Sequence, residues 1–399
     1  MTAQASVIEI LVLLAGILFL IYWVLSWFTM RKSLGGLKML SQLPQYENEQ
    51  SGPKISIIVT ACNEEKYLEA TIPRLLAQTY RSFELILIND RSTDSTGEII
   101  ESFVLQDPRI RSIHIDYLPD NWLGKVNALQ KGVELASGDY YLFTDADIEF
   151  HATAISSAIK YVENYHVDHL AVFPFNRGRK TFSMGLFSMA FAILYFNATK
   201  IQKVSDPSDK SHIGTGAFNL VKKSSFNKTP GFKWLRLEVI DDSGLGLMLK
   251  KAGFQTHVLN GFGAVEMNWY PNLWAMIQGL EKNLFPALGH YSYGKALIRG
   301  LIILGTGIAP LAASVYTSSW LLGAATLLFQ SLMPGISGLI TRKYTKQNAY
   351  IGFLIPLGYL IFVFALAQST FLHCYRKGIN WRGTWYSTKK LQRESRVRL

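Results

Sequence analysis

Hydrophobic positions fall along this chain in three regimes. The first is a continuous apolar run over residues 7–28, uncharged but for Glu9, long enough at about 1.5 Å per residue to cross a hydrocarbon layer of roughly 30 Å. No Lys or Arg precedes it, while Arg31 and Lys32 follow. That is the pattern of a retained membrane span with its downstream side in the cytoplasm, not of a cleaved leader. The second regime alternates short apolar runs with amphipathic ones. Residues 55–61, 83–90 and 110–116 and the run opening at Tyr140 predict strands, and 64–78, 94–106 and 124–136 predict helices. Strands alternating with helices of this length mean βαβ units and a mostly parallel sheet. The third regime is apolar again: 300–340, enough for two spans broken near 317–320, and 349–373. Two shorter apolar stretches, 182–196 and 273–288, predict interfacial helices bounding a route for a lipid, with core helices as the other reading.

The pattern divides the chain into a membrane helix (1–32), a linker (33–53), a cytoplasmic α/β domain (54–290), a C-terminal membrane region (291–374) and a basic tail (375–399). The number of C-terminal passes stays open. Three passes would put the tail outside, against the positive-inside rule, and Arg342, Lys343 and Lys346 make the preceding loop basic as well. The net charge of +11 raises nucleic acid as a partner. Its location excludes it: Arg376 to Leu399 holds eight Lys or Arg against Glu394 alone, directly after an apolar run, as a juxtamembrane anchor to anionic lipid would. The two cysteines, Cys62 and Cys374, form neither a disulfide framework nor a metal cluster.

Within the α/β region, polar residues collect where strands end: Asn63 and Glu64, Asp90 and Asp94, Asp145 and Asp147. Such sheets bind ligands at the carboxyl ends of their strands. Asn63, Ser92 or Asp94 could each cap a helix instead. Together, acids on successive strand ends repel one another unless a cation lies among them. Asp145 and Asp147, at i and i+2, would face one Mg²⁺ or Mn²⁺ if the strand continues through them. Neither a dinucleotide fingerprint nor a Walker motif follows the first strand.

Read in order, Ile57-Ile-Val-Thr-Ala-Cys-Asn63-Glu64, Ile88-Asn-Asp90-Arg-Ser-Thr-Asp94, Trp122-Leu-Gly124-Lys125-Val-Asn127 and Thr144-Asp145-Ala146-Asp147 resemble family 2 inverting glycosyltransferases of the GT-A nucleotide-sugar-binding fold. The resemblance spans about 54–283, and the stretch Asn121-Trp-Leu-Gly-Lys125 is most similar to the carotenoid glucosyltransferase and hopanoid-associated branch. It implies that Thr60, Ala61, Asn63 and Glu64 line the base pocket of a UDP-sugar, that Asp90 takes the uracil or ribose, and that Lys125 approaches the diphosphate. Asp145, Ala146 and Asp147 would border the donor, with Asp145 and Asp147 holding the Mg²⁺ or Mn²⁺. In Glu238-Val-Ile-Asp241-Asp242-Ser-Gly it implies that Asp242 is the base and Asp241 the acid before it; a plain helix start is the other reading of that pair. Gly214, Thr215 and Gly216 match an acceptor-side loop, or else a simple turn before a strand at 217–221.

The Gln/Arg-x-x-Arg-Trp segment of the processive members is missing; Gln278 to Asn283 stands in its place. A single sugar addition is therefore expected, of a hexose such as glucose from a UDP-sugar to a lipid or isoprenoid, carotenoid-like acceptor. The alternatives are a polysaccharide synthase and a membrane transport protein whose soluble domain senses nucleotide-sugar.

Overall fold

A computed structural model describes residues 3–47, 52–178, 181–341 and 354–398. The chain starts with a 33-residue helix, α1 (Ala3–Gly35), whose Val7, Ile10, Leu11, Leu14, Leu18 and Leu25 are exposed. An apolar outer face of this length suits lipid. Below it, residues 33–47 do not hang free: the Ser41 hydroxyl donates to the Phe262 carbonyl at 2.7 Å and Met39 bridges to Asn260. Residues 48–51 of the expected linker, and the basic loop at Arg342, Lys343 and Lys346, lie outside the described residues.

The α/β region is built from β1 (Ile55–Ala61), α2 (Glu65–Leu76), β2 (Phe83–Asp90), α3 (Thr96–Val104), β3 (Ile110–Ile115), α4 (Gly124–Leu135) and β4 (Tyr140–Asp145). β1 is buried along its whole length and β2 at all but Asn89, as strands covered on both faces must be. After β4 come β5 (Ile148–Phe150), α5 (Ala154–Tyr165), β6 (His169–Phe173), β7 (Phe175–Asn176), α6 (Phe182–Thr199), β8 (Asn219–Lys222), α7 (Lys223–Phe226), α8 (Asp241–Lys251), β9 (Thr256–Asn260) and β10 (Val265–Met267). The main sheet runs β3-β2-β1-β4-β8-β6-β9, parallel except where β8 lies antiparallel to β4 and β6. Strand order reverses between β1 and β4, and Thr60 pairs with Asp145 across that gap. The topology therefore opens a crevice between the carboxyl ends of these two strands.

The remaining helices are α9 (Leu273–Leu284), α10 (Tyr293–Tyr316), α11 (Trp320–Thr341) and α12 (Ile355–Arg376). Trp23 and Met30 of α1, Phe187 of α6, Met276 of α9 and Phe362 of α12 share one buried cluster with Ile58 and Ile86 of the sheet. Helices and sheet thus share a continuous buried core. Among the described residues, four helices could cross a membrane by length and composition: α1, α10, α12 and α6 with the turn after it. The last departs from expectation: the predicted segment ended at residue 196, but the helix runs to Thr199 over 18 residues, about 27 Å at 1.5 Å per residue.

The basic tail also differs from a free anchor. It forms β11 (Gly378–Trp381), β12 (Thr384–Ser387) and α13 (Thr388–Glu394) and folds back over the α/β region. Glu238, fully buried, explains the docking: one carboxylate oxygen accepts the backbone N–H groups of Arg396 at 2.6 Å and Val397 at 3.0 Å. Arg376, Arg382 and Arg396 face Glu281, Glu64 and Glu394.

Candidate active site

The crevice between β1 and β4 gathers carboxylates from β4, the turn after it and α8. Asp145 ends β4, and Asp147 lies in the two-residue turn to β5, so the expected continuous strand through both is a tight turn here. They remain electrostatic neighbours: burial, then the Asp145 charge, pushes the Asp147 carboxyl up to about 6. Across from them, Asp241 and Asp242 open α8, where the positive helix end favours acids. Ile240 occupies the capping position with no side-chain cap, so Asp241 is not spent as one. Burial raises Asp241, and burial followed by Asp241 raises Asp242 to about 6.

Lys125, in the first turn of α4, joins the two pairs. Its ammonium lies 2.7 Å from Asp145 Oδ1 and 3.6 Å from Asp241 Oδ2. Burial alone would lower its pKa, but Asp145, Asp241 and Asp242 together raise it, so it stays charged.

The loop at Gly214, Thr215 and Gly216 has a role the sequence did not reveal. The Gly216 N–H donates to Asp242 Oδ2 at 3.0 Å, and a Cβ there would stand 2.4 Å from Asp145 Oδ2. Gly214 presses on the backbone of Asp242, its imagined Cβ 1.8 Å from that carbonyl oxygen. Thr215 is buried, and its hydroxyl donates to the Val172 carbonyl at 2.9 Å. The loop therefore scaffolds both carboxylate pairs, and its bare backbone makes the approach possible. Two substitutions separate its duties. Gly216→Ala is expected to displace the Asp145 carboxylate and lower activity at least about tenfold while the chain stays folded, because a side-chain end can move. Gly214→Ala must shift backbone and is expected to cost about 1–3 kcal/mol of stability; thermal unfolding and activity, read together, separate the two.

On the β1 and β2 side the residues mostly hold one another. Asn63, in the left-handed region at φ 58°, accepts the Thr93 N–H at 2.8 Å instead of capping α2. Asp94 accepts from the N–H groups of both Glu65 and Thr96. Asp90 is fully buried and held by Arg91 through both oxygens, at 2.8 and 3.1 Å. Gly124 packs on that pair: a Cβ would lie 2.4 Å from Asp90 Oδ2. Thr60, Ala61 and Ala146 are buried in the crevice wall, and Glu64 is half-buried above it. Burial pushes Glu64 up to about 7 despite the Arg382 guanidinium 3.0 Å away.

Three contributors escaped the sequence reading. Arg382 arrives from the tail; Lys282 arrives from α9, over the Trp381 ring at 4.0 Å; Glu238 fixes the C-terminus two residues before Ile240. The Arg-Gly pair at 382–383, between short apolar runs, is a hairpin signal that could have placed the first. Nothing local marks the other two.

Comparison with known proteins agrees with this architecture. Residues 56–229 match the family model described as Glycosyl transferase family 2. Glycosyltransferase GlyG of Streptococcus pneumoniae serotype 4 is 34% identical over 114 residues, 29% of this chain and 36% of that protein. The chain spans only 16–36% of the length of the first curated relatives it matches. The 4,4'-diaponeurosporenoate glycosyltransferase of Staphylococcus haemolyticus is 25% identical over 341 residues, covering 84% of this chain and 89% of that one. Among solved structures, the mannosyltransferase PcManGT of Pyrobaculum calidifontis, in complex with GDP-Man and Mn²⁺, superposes with a TM-score of 0.51 at 14% identity, over 94% of this chain and 99% of that one. The crevice between β1 and β4 lies within the segment that matches the family 2 glycosyltransferase model, and the fold is a mostly parallel α/β sheet of GT-A-like type.

Proposed function

We propose that this chain is a membrane-bound inverting glycosyltransferase that moves one hexose, glucose being the first choice to test, from a UDP-sugar to a lipid or isoprenoid acceptor. One observation carries the reading: two carboxylate pairs face each other across a buried lysine at the strand switch point, in a body packed directly on apolar helices. The likeness, over 84% of the chain, to a protein named as a 4,4'-diaponeurosporenoate glycosyltransferase supports an isoprenoid acceptor.

The residues fit a divalent ion. Burial, then the Asp145 charge, raises Asp147 even against the nearby Lys125 and Arg382 cations, so the two carboxylates are close enough to share a cation, although no group of three or more His, Cys, Asp or Glu suited to a metal occurs among the described residues. Two carboxylates with the remaining positions left to water and phosphate oxygens is the usual Mg²⁺ or Mn²⁺ arrangement. When bound, such an ion would neutralise charge on the departing diphosphate.

Asp242 has the features of the base. Its oxygens are fixed by the Gly216 and Ser243 N–H groups, and its raised pKa gives it affinity for a proton. It takes the acceptor hydroxyl proton as that oxygen attacks C1 and the bond from C1 to the nucleoside diphosphate breaks. Lys125 stays protonated beside the developing charge. Tyr195, on α6, lies within reach of the Asp242 charge. An apolar acceptor running along α6 would thus end at the base.

The test is transfer of labelled sugar from a panel of UDP-sugars into membranes. Label on organic-extractable lipid as one added hexose supports the reading. Long water-soluble product would favour a polymer synthase, and UDP-sugar binding without any turnover would favour the sensing transporter.

A further inference from the structure

Lys282 has an environment that the reaction described so far does not explain. It is half-buried in the last turn of α9, and among the described residues no carboxylate lies within 4 Å of its ammonium; its near neighbour is the face of Trp381. A ring face replaces only a small part of the hydration a buried ammonium loses. Burial, then the nearby Lys125 and Arg382 charges, lower its pKa to about 8. Three cations from three elements therefore converge beside the crevice, and Lys282 alone of them touches no carboxylate, Asp241 and Asp145 acting on it only from further away.

The hairpin that brings Trp381 and Arg382 is held at both ends. The Thr388 N–H donates to the Lys377 carbonyl at its root, and Arg236 meets Glu394 at 3.2 Å beyond it. Trp381 pairs with Thr384, which leaves Arg382 and Gly383 as a two-residue turn with φ 49° and 79°. Positive φ at both positions is the primed turn such hairpins need, and it favours Asn or Gly where Arg382 stands. An arginine kept in that strained place points to a use for its side chain. That side chain reaches Glu64, while Thr384 accepts from Arg91 at 2.8 Å, so the tip sits on the loops that follow β1 and β2. Both Lys282 and Arg382 lie beyond the 56–229 segment that matches the family.

We propose that Lys282 and Arg382 are donor-binding residues, supplied by α9 and the C-terminal hairpin, which together with Lys125 receive the diphosphate of the nucleotide-sugar. The inference rests on the donor class proposed above. Lys125 and Arg382 already contact Asp145 and Glu64, and Lys282 supplies a charge that no carboxylate contacts, which draws the diphosphate. Trp381 backs the ammonium, so the hairpin contributes to the donor pocket as well as covering it. Arginine in place of Lys282 keeps the charge and can reach the same oxygens.

The test uses the full-length protein in detergent with Mn²⁺, measuring calorimetric affinity for UDP and GDP against UMP and GMP. Lys282→Met and Arg382→Met should each weaken the preferred nucleoside diphosphate at least about tenfold, or roughly 1.4 kcal/mol, and leave the matching monophosphate within about twofold. Lys282→Arg should restore affinity. Retained monophosphate binding shows that each variant is folded. Unchanged diphosphate affinity, or equal loss of both nucleotides, would overturn the assignment and leave the donor reading intact. A wild-type protein that binds neither diphosphate would overturn the donor reading and the cradle with it.

Discussion

Replacing Asp242 with asparagine is expected to lower sugar transfer about 10²- to 10⁴-fold, the range of a lost general base, and to leave UDP affinity nearly unchanged. The amide keeps size and shape but cannot accept a proton. It also cannot accept from both N–H groups that now fix the carboxylate, Gly216 on one oxygen and Ser243 on the other, so a modest loss of local stability accompanies the loss of rate. The matching pH profile follows from burial and the Asp241 charge, which raise Asp242 to about 6. A base works deprotonated, so kcat/KM, which reports the free enzyme, should be flat above about pH 7 and fall tenfold per unit below about pH 6. An Asn variant with wild-type turnover would remove Asp242 from the chemistry.

The second large effect concerns the other carboxylate pair. Asp147→Ala, or EDTA added to the wild type, is expected to reduce transfer at least about a hundredfold, as loss of charge stabilisation at a leaving group does. Asp147 is the better choice than Asp145 for this test. Asp145 also holds the Lys125 ammonium at 2.7 Å, so its loss would release a buried lysine and confuse two causes. Restored activity on adding Mg²⁺ or Mn²⁺ after EDTA is the expected control; full activity in EDTA would contradict a metal role for the pair.

Much of this architecture is legible in the sequence. The sheet strands β1 and β2 begin and end where their apolar runs do, because strands buried on both faces leave no ambiguity of period. Asp145 and Asp147 stood out as carboxylates at the end of such a run, and Asp241 with Asp242 at a helix start, since both positions are set locally. The turn that carries Asp147 was not visible: i and i+2 spacing looks the same in a strand and in a two-residue turn. Nor did the glycines at 214 and 216 disclose that they press on Asp242 and Asp145, because the sequence shows only that glycine is there, not what lies against it.

The tail was the largest gap. Eight basic residues spread between Arg376 and Leu399 resemble a solvated anchor, and the partners that instead dock the segment are far away in the chain. Arg382 meets Glu64 across 318 positions, and Val397 meets Glu238 across 159. Periodicity reports local structure and is silent on such pairs. The helix α6 shows the same limit from another side: its apolar content was plain, but its length depended on Asn197 and Thr199, polar residues satisfied by Ser26 and by the Tyr195 carbonyl.

The central claim, a single displacement at C1 with Asp242 as base, is tested most directly by the anomeric configuration of the first product. An α-linked UDP-hexose would be incubated with the full-length protein, Mn²⁺ and an isoprenoid acceptor, and the lipid carrying one added sugar isolated and read by proton NMR. The account predicts a β-linked hexose. An α-linked product would contradict it, since retention needs two displacements or a different attacking group, and Asp242 could not then act as the base described here.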